Sequence, residues 1–164
     1  MNDTTLDDDL PAARVSGATP ASVNQRIQQQ IEARVAAAAR GGPQAIEQRL
    51  QELDREWDIE RCLESTAASL ALLGTALGAT VNRRWYALPA AVGAFLMQHA
   101  LQGWCPPLPL LRRLGVRTMD EINQERYALK ALRGDFAPVS RATGAEVADA
   151  AVRAVQAPST STLH

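Results

Sequence analysis

From Ser65 to Leu111 the chain runs forty-seven residues without an Asp or Glu, and its only formal charges there are the adjacent Arg83 and Arg84. Two uncharged blocks, Ser65 to Asn82 and Trp85 to Gly103, flank that pair. As helices each would reach about 27 to 28 Å, close to a bilayer core of roughly 30 Å. This is the pattern of two membrane-crossing helices joined by a short basic loop. Averages conceal it, because 46% hydrophobic residues, 21% charged residues and a net charge of -1 describe an ordinary soluble domain. The charges are crowded into the two flanks. Basic and acidic residues interleave there, which argues against a nucleic-acid surface. The acidic start at Asp7, Asp8 and Asp9 lacks the basic region and apolar run of a cleavable signal peptide.

The expected fold is all-α: a transmembrane two-helix hairpin with amphipathic helical flanks and disordered termini. Residues 1–20 offer no periodic apolar face and read as disordered. Residues 21–64 read as amphipathic helices with a break at 41–43. Val23, Ile27, Ile31 and Val35 recur every fourth position, Gly41-Gly42-Pro43 interrupts, and Ile46, Leu50, Leu53 and Trp57 draw a narrow seam. That seam would lie against a neighbouring helix or the headgroups, with a short coiled-coil dimer as the alternative. After the hairpin at 65–111, residues 112–157 read as cytoplasmic or interfacial helices. Thr118-Met-Asp-Glu121 and Thr143-Gly-Ala-Glu146 are capping boxes there, and Lys130 and Arg133 would be available to anionic lipid. Residues 158–164 read as a disordered tail.

Three details favour lipid over a soluble core around the apolar middle. Trp85, Tyr86 and Trp104 bracket the second block as interfacial aromatics would. Gly74 and Gly78 form a GxxxG motif, and Ala90 and Ala94 repeat the small-residue spacing, so all four are candidates for helix-helix packing and self-association. Ser69, Thr75 and Thr80 carry hydroxyls that can bond back to helix carbonyls. Arg49, Arg55, Arg61, Arg112, Arg113 and Arg117 flank the hairpin against the two arginines of its loop, which puts both termini in the cytoplasm. Glu60, Arg61 and Glu64 sit where long side chains anchor in headgroups.

Glu60-Arg61, then Gly74 and Gly78, then Gly103-x-Cys105-Pro106 with Leu110-Leu111 and Gly115-Val116 form an ordered set over roughly Trp57 to Thr118. In this it resembles the small bacterial inner-membrane domain of unknown function called YgaP-like. The resemblance implies a multi-pass hairpin of the bacterial inner membrane that closes on the Gly-x-Cys-Pro turn. It also implies a sulfurtransferase as a partner, since that domain occurs alone or attached to a rhodanese-type sulfurtransferase. Arg112-Arg113 and both long flanks depart from the family core, and no rhodanese active-site loop is present.

No catalytic constellation, metal site or cofactor motif emerges, so the chain reads as a non-enzyme. Cys62 and Cys105 are the candidate thiols, with Gly103 and Pro106 as the turn that carries the second. The leading expectation is a membrane-anchoring, self-associating hairpin. A sulfur relay or sulfur-anion transport component acting through Cys105 is the alternative, and a soluble helical adaptor a further one. For Cys105 the plainer account is packing of the turn; its Cys-Pro dipeptide also occurs in haem-responsive motifs. For His99 the plainer account is a neutral imidazole bonded to a carbonyl or water. His99 and Cys105 supply at most two ligands, and the other histidine is His164 at the tail, short of a closed zinc site.

Overall fold

The computed structural model describes residues 11–144 and 146–159. All its regular structure is helical, and no strand occurs among the described residues. In order these are α1 (Pro11–Gly17), α2 (Ala21–Arg55), α3 (Ile59–Thr80), a 3-10 turn (Arg83–Tyr86), α4 (Ala87–Gln102), α5 (Leu108–Arg113), α6 (Met119–Arg133), α7 (Ala137–Arg141) and α8 (Glu146–Gln156). The chain divides into two compact units. One holds the described residues up to Ile27 together with 57–119, and the other holds 28–56 with 120–159.

The first unit is built on α3 and α4. Asp58 starts α3 by accepting the backbone N–H of Arg61 at 3.0 Å, and the N–H of Ile59 donates to the Arg117 carbonyl at 2.9 Å. Asn82 caps the 3-10 turn in the same way, accepting from Arg84 N at 2.9 Å. Among the described residues one helical stretch, within Ala21–Thr80, is long and apolar enough to cross a membrane by length and composition. Its apolar window falls in α3, since α2 is charge-rich, and only 22% of that window is buried. The second helix is shorter than expected. The Asn82 cap turns Arg83–Tyr86 into a tight 3-10 coil, and Pro89 sits in the first turn of α4, which therefore begins at Ala87. Its 16 residues span about 24 Å, below the roughly 20 residues of a regular crossing.

The core of this unit lies at the base of the pair, where Val15, Ile59, Leu63, Cys105 and Leu108 pack together. Disorder was expected throughout 1–20, and for Pro11–Gly17 the structure corrects it. Val15 is 1% exposed in that core, so one apolar side chain with tertiary partners sustains a helix that no periodicity announces. The remainder of that expectation, residues 1–10, lies outside the described residues. Helix α5 was also not foreseen, its prolines having suggested only a break. Pro107 precedes it and Pro109 falls within its first turn, where the missing N–H has no partner to lose.

Arg112, counted above among the membrane-flanking cations, is 1% exposed. Its Nε donates to Thr19 Oγ1 at 3.2 Å, Nη1 to the Val116 carbonyl at 3.2 Å and Nη2 to Asn24 Oδ1 at 2.9 Å. Asn24 in turn donates to the Ser16 carbonyl at 2.9 Å, so one guanidinium ties three chain segments together. Arg117 is equally buried. Both therefore serve the interior of the unit rather than a membrane surface.

The second unit is a conventional packing of an amphipathic seam. Ile46, Leu50 and Leu53 of α2 bury against Ile122 and Leu129 of α6, with Ala38 completing the cluster. The seam is thus covered within the chain, and Trp57 lies beyond the end of α2, half exposed. Gly42 takes φ 78° and marks a kink directly before Pro43. The tail does not begin at Pro158 as expected. Arg133 donates to the Pro158 carbonyl at 2.9 Å and the Ser159 carbonyl at 3.1 Å, while the Ser159 hydroxyl bonds Asp54. Residues 160–164, the rest of the expected disordered tail, lie outside the described residues.

Candidate functional site

Along α3, Gly74 and Gly78 open the surface on which α4 and the 3-10 turn lie. A Cβ at Gly74 would stand 2.6 Å from Pro89 Cδ and 3.0 Å from Leu88 Cβ, and one at Gly78 would stand 2.9 Å from the Tyr86 ring. Both glycines are therefore spent on contact inside the chain. Ala90 and Ala94 face outward with Gly93 between them, and no atom lies within 4 Å of a Cβ built there.

The outer faces of the pair are apolar and uncovered. Leu72 is 73% exposed, Leu101 69% and Met97 65%, with Leu73, Val81 and Phe95 also open. Four hydroxyls on α3 are satisfied within the helix. Thr66, Ser69, Thr75 and Thr80 each donate to the carbonyl four residues back, at 2.7–2.8 Å, as expected for Ser69, Thr75 and Thr80. Trp85, Tyr86 and Trp104 are exposed, the first two beside Arg83 and Arg84 at the tip and the third next to Gly103 at the base. Leu110 of α5 and Leu114 at its C-cap add to the open apolar surface. At the base Arg61 stacks on the Trp57 ring at 4.3 Å, a contact that holds a cation beside an amphipathic aromatic.

Gly103 ends α4 in the left-handed conformation, φ 68°, which favours glycine because it has no Cβ. Sterics reinforce the requirement. A Cβ there would fall 2.5 Å from Arg14 Cβ and 2.8 Å from the Arg14 carbonyl carbon, so α1 crosses the return end of α4 at this residue. Two positions on, Cys105 is 3% exposed in the core with Val15. Its residue also lines an apolar cavity of about 580 Å³ beside Leu63, Leu70, Phe95, Pro106 and Leu111. The Gly103-x-Cys105-Pro106 turn thus docks α1 and packs the base. Cys62 is partly buried, and neither cysteine is in a disulfide. Burial pushes the Cys62 thiol up and Asp58 adds to it, against the smaller opposing effect of Arg61. That setting disfavours the nucleophilic thiolate at Cys62.

His99, in the last turn of α4, is 8% exposed and meets Glu60 of α3, its Nε2 at 3.1 and 3.2 Å from the two carboxylate oxygens. Glu60 was expected to reach only headgroups; here it is the partner of the buried imidazole. The pairing spans 39 residues, and no local pattern signals it. Arg14 approaches the same place and donates from Nη1 to the Ala100 carbonyl at 3.2 Å. No group of three His, Cys, Asp or Glu side chains is placed to hold a metal ion among the described residues.

In the second unit the functional-looking cations are consumed by structure. Lys130, foreseen as a lipid contact, is 3% exposed and donates from Nζ to the Val155 carbonyl at 2.6 Å and the Ala157 carbonyl at 2.7 Å, closing the end of α8. Burial lowers its pKa, with Asp135 opposing. Arg133 binds Asp135 at 2.6 Å, the pairing that raises its pKa. Arg49 holds the fully buried Glu125 at 2.7 Å. These hydrogen bonds leave neither Lys130 nor Arg133 for lipid. No protein-family model, curated protein or solved structure matches the chain.

Proposed function

We propose that the chain is a small, non-enzymatic membrane module in which α3 and α4 insert as a hairpin and hold helical flanks at the bacterial inner membrane. The observation that carries this reading is the exposed surface of the pair. A surface presenting Leu72, Leu73, Met97 and Leu101 to water has no compensating partner among the described residues, whereas lipid would cover it. The back-bonded hydroxyls of α3 leave that face free of unsatisfied donors, as hydrocarbon requires. The shorter α4 reaches the far interface with the help of the 3-10 turn and its Arg83, Arg84, Trp85 and Tyr86.

Exposed Arg61 and Arg113 at the base support a cytoplasmic side for both flanks. With Gly74 and Gly78 occupied by α4, the Ala90, Gly93 and Ala94 stripe is the surface left for a second copy. The YgaP-like assignment belongs to this proposal, resting on the Gly103-x-Cys105-Pro106 turn and the paired glycines. A relay through Cys105 draws no comparable support, because the residue is buried in the core. The test is fractionation. The protein should stay in the pellet through a carbonate wash and leave it only with detergent. Purified protein that is monodisperse in buffer without any amphiphile would refute insertion.

A further inference from the structure

The apolar cavity of about 580 Å³ beside Cys105 lies wholly in the first unit. Its size falls within the roughly 300 to 1,000 Å³ of small-ligand sites. Helix α3 supplies Leu63, Thr66, Ala67 and Leu70, a stripe at i, i+3, i+4 and i+7. Helix α4, the Pro106-Pro107 turn and α5 complete the wall. That wall runs from the buried Leu63 and Ala67 out to the exposed Leu70, Phe95 and Leu110, so the recess opens on the uncovered apolar surface of the pair.

Among the described residues this wall carries no charged side chain. Its one hydroxyl, on Thr66, already donates to the Cys62 carbonyl at 2.8 Å, and its prolines bring no backbone N–H. A water molecule needs two to four polar partners, which such a wall scarcely supplies. The part of an occupant that enters is therefore hydrocarbon. Charge waits at the edge. Arg113 is exposed and lies three residues beyond Leu110 on α5, so the two share a helix face. No hydrogen bond or ion pair engages Arg113 among the described residues. From Ser65 to Met119 the chain holds no Asp or Glu to neutralise it, and Glu60 and Glu64 of α3 line a different recess, with Arg14. A free guanidinium beside a hydrocarbon recess fits a chain that ends in a phosphate, whose oxygens it can bind in pairs. The Ala90, Gly93 and Ala94 stripe left for a second copy contributes nothing to this wall.

We propose that this cavity holds one acyl chain of an anionic phospholipid, phosphatidylglycerol, whose phosphate lies on Arg113 while its second chain stays in the bilayer. The proposal rests on the membrane reading above, and its test separates the two. Full-length protein in detergent is titrated with phosphatidylglycerol, phosphatidylcholine and a free fatty acid, and the lipid retained by each chain is counted by native mass spectrometry. One phosphatidylglycerol per chain should be retained saturably, with phosphatidylcholine about tenfold weaker, as befits the loss of one charge-assisted contact. Ala67→Phe places a ring in the recess and should weaken phosphatidylglycerol binding by about tenfold or more while the helical circular dichroism is unchanged. Arg113→Gln, at an exposed position, should keep a bound lipid and erase the preference between the two headgroups. Equal binding of the two phospholipids, uptake of several lipids without saturation, a fatty acid that phosphatidylglycerol cannot displace, or a preference that survives Arg113→Gln would overturn the proposal. So would full affinity in a folded Ala67→Phe variant. Each of those results leaves membrane insertion standing, which the carbonate wash decides separately.

Discussion

The two units use the same helical vocabulary with opposite patterns of burial. In the second, α2 and α6 bury their large aliphatics against each other and neutralise buried charge in pairs such as Arg49–Glu125. In the first, beyond the buried Ile59 and Leu63 at the base, Leu72, Leu73, Met97 and Leu101 of α3 and α4 point outward, while the contact at Gly74 and Gly78 is made by Leu88, Pro89 and the Tyr86 ring. A water-facing domain cannot use the second arrangement at low cost, since exposed apolar area is unfavourable by roughly 25 cal/mol per Å². The contrast teaches that the pattern of burial in this chain changes at about Ser65, the change that the proposed insertion accounts for.

The comparison breaks most visibly at Glu125. Glu125→Ala removes the fully buried member of a network and leaves Arg49 with the more exposed Glu52 and Glu56, and denaturant titration should show a loss of about 3 to 5 kcal/mol. Next come matched truncations. Leu50→Ala, at a fully buried site, should remove about 2 to 5 kcal/mol from the same titration. Leu72→Ala, removing the same atoms from an exposed site, should leave that stability within about 0.5 kcal/mol and instead weaken partitioning into liposomes in a flotation assay. Equal stability losses at both positions would mean that the units share one solvent. Gly103→Ala forces a Cβ into a left-handed position and against Arg14, and should destabilise by about 1 to 3 kcal/mol or more, read as a fall in Tm.

The smallest effect is a slope. The pKa of Lys130 is lowered by folding, so between that value and 10.5 the unfolded chain binds the extra proton and stability rises with pH. At lower pH the full penalty of the buried charge is present. Lys130→Met should flatten the rise in Tm as pH climbs toward 10.5, and an unchanged slope would assign it to other groups.

Much of this was legible because it is periodic or compositional. The charge-free run marked α3, the fourfold spacing of Val23, Ile27 and Ile31 marked the first half of α2, and Ile46, Leu50 and Leu53 marked the seam that α6 covers. What escaped depends on contacts between distant residues. Helix α1 rests on Val15 reaching a core made by residues 59 to 108, and His99 meets Glu60 across a gap no local rule spans. Arginines were misread for the same reason. Arg112 and Arg133 look like surface cations until the carbonyls and amides they bind are placed beside them. The GxxxG motif was visible, yet a motif of small residues says that a helix comes close without saying whose.

The contact of Arg14 with the end of α4 joins residues 86 positions apart. During synthesis α1 emerges long before its dock exists, and at about 5 to 20 residues per second it waits on the order of ten seconds for Gly103 and Cys105 to follow. On the insertion proposed above, the greasy middle would meet the bilayer while the base is still open, and the amino-terminal helix would act as a latch that shuts only after α4 is complete.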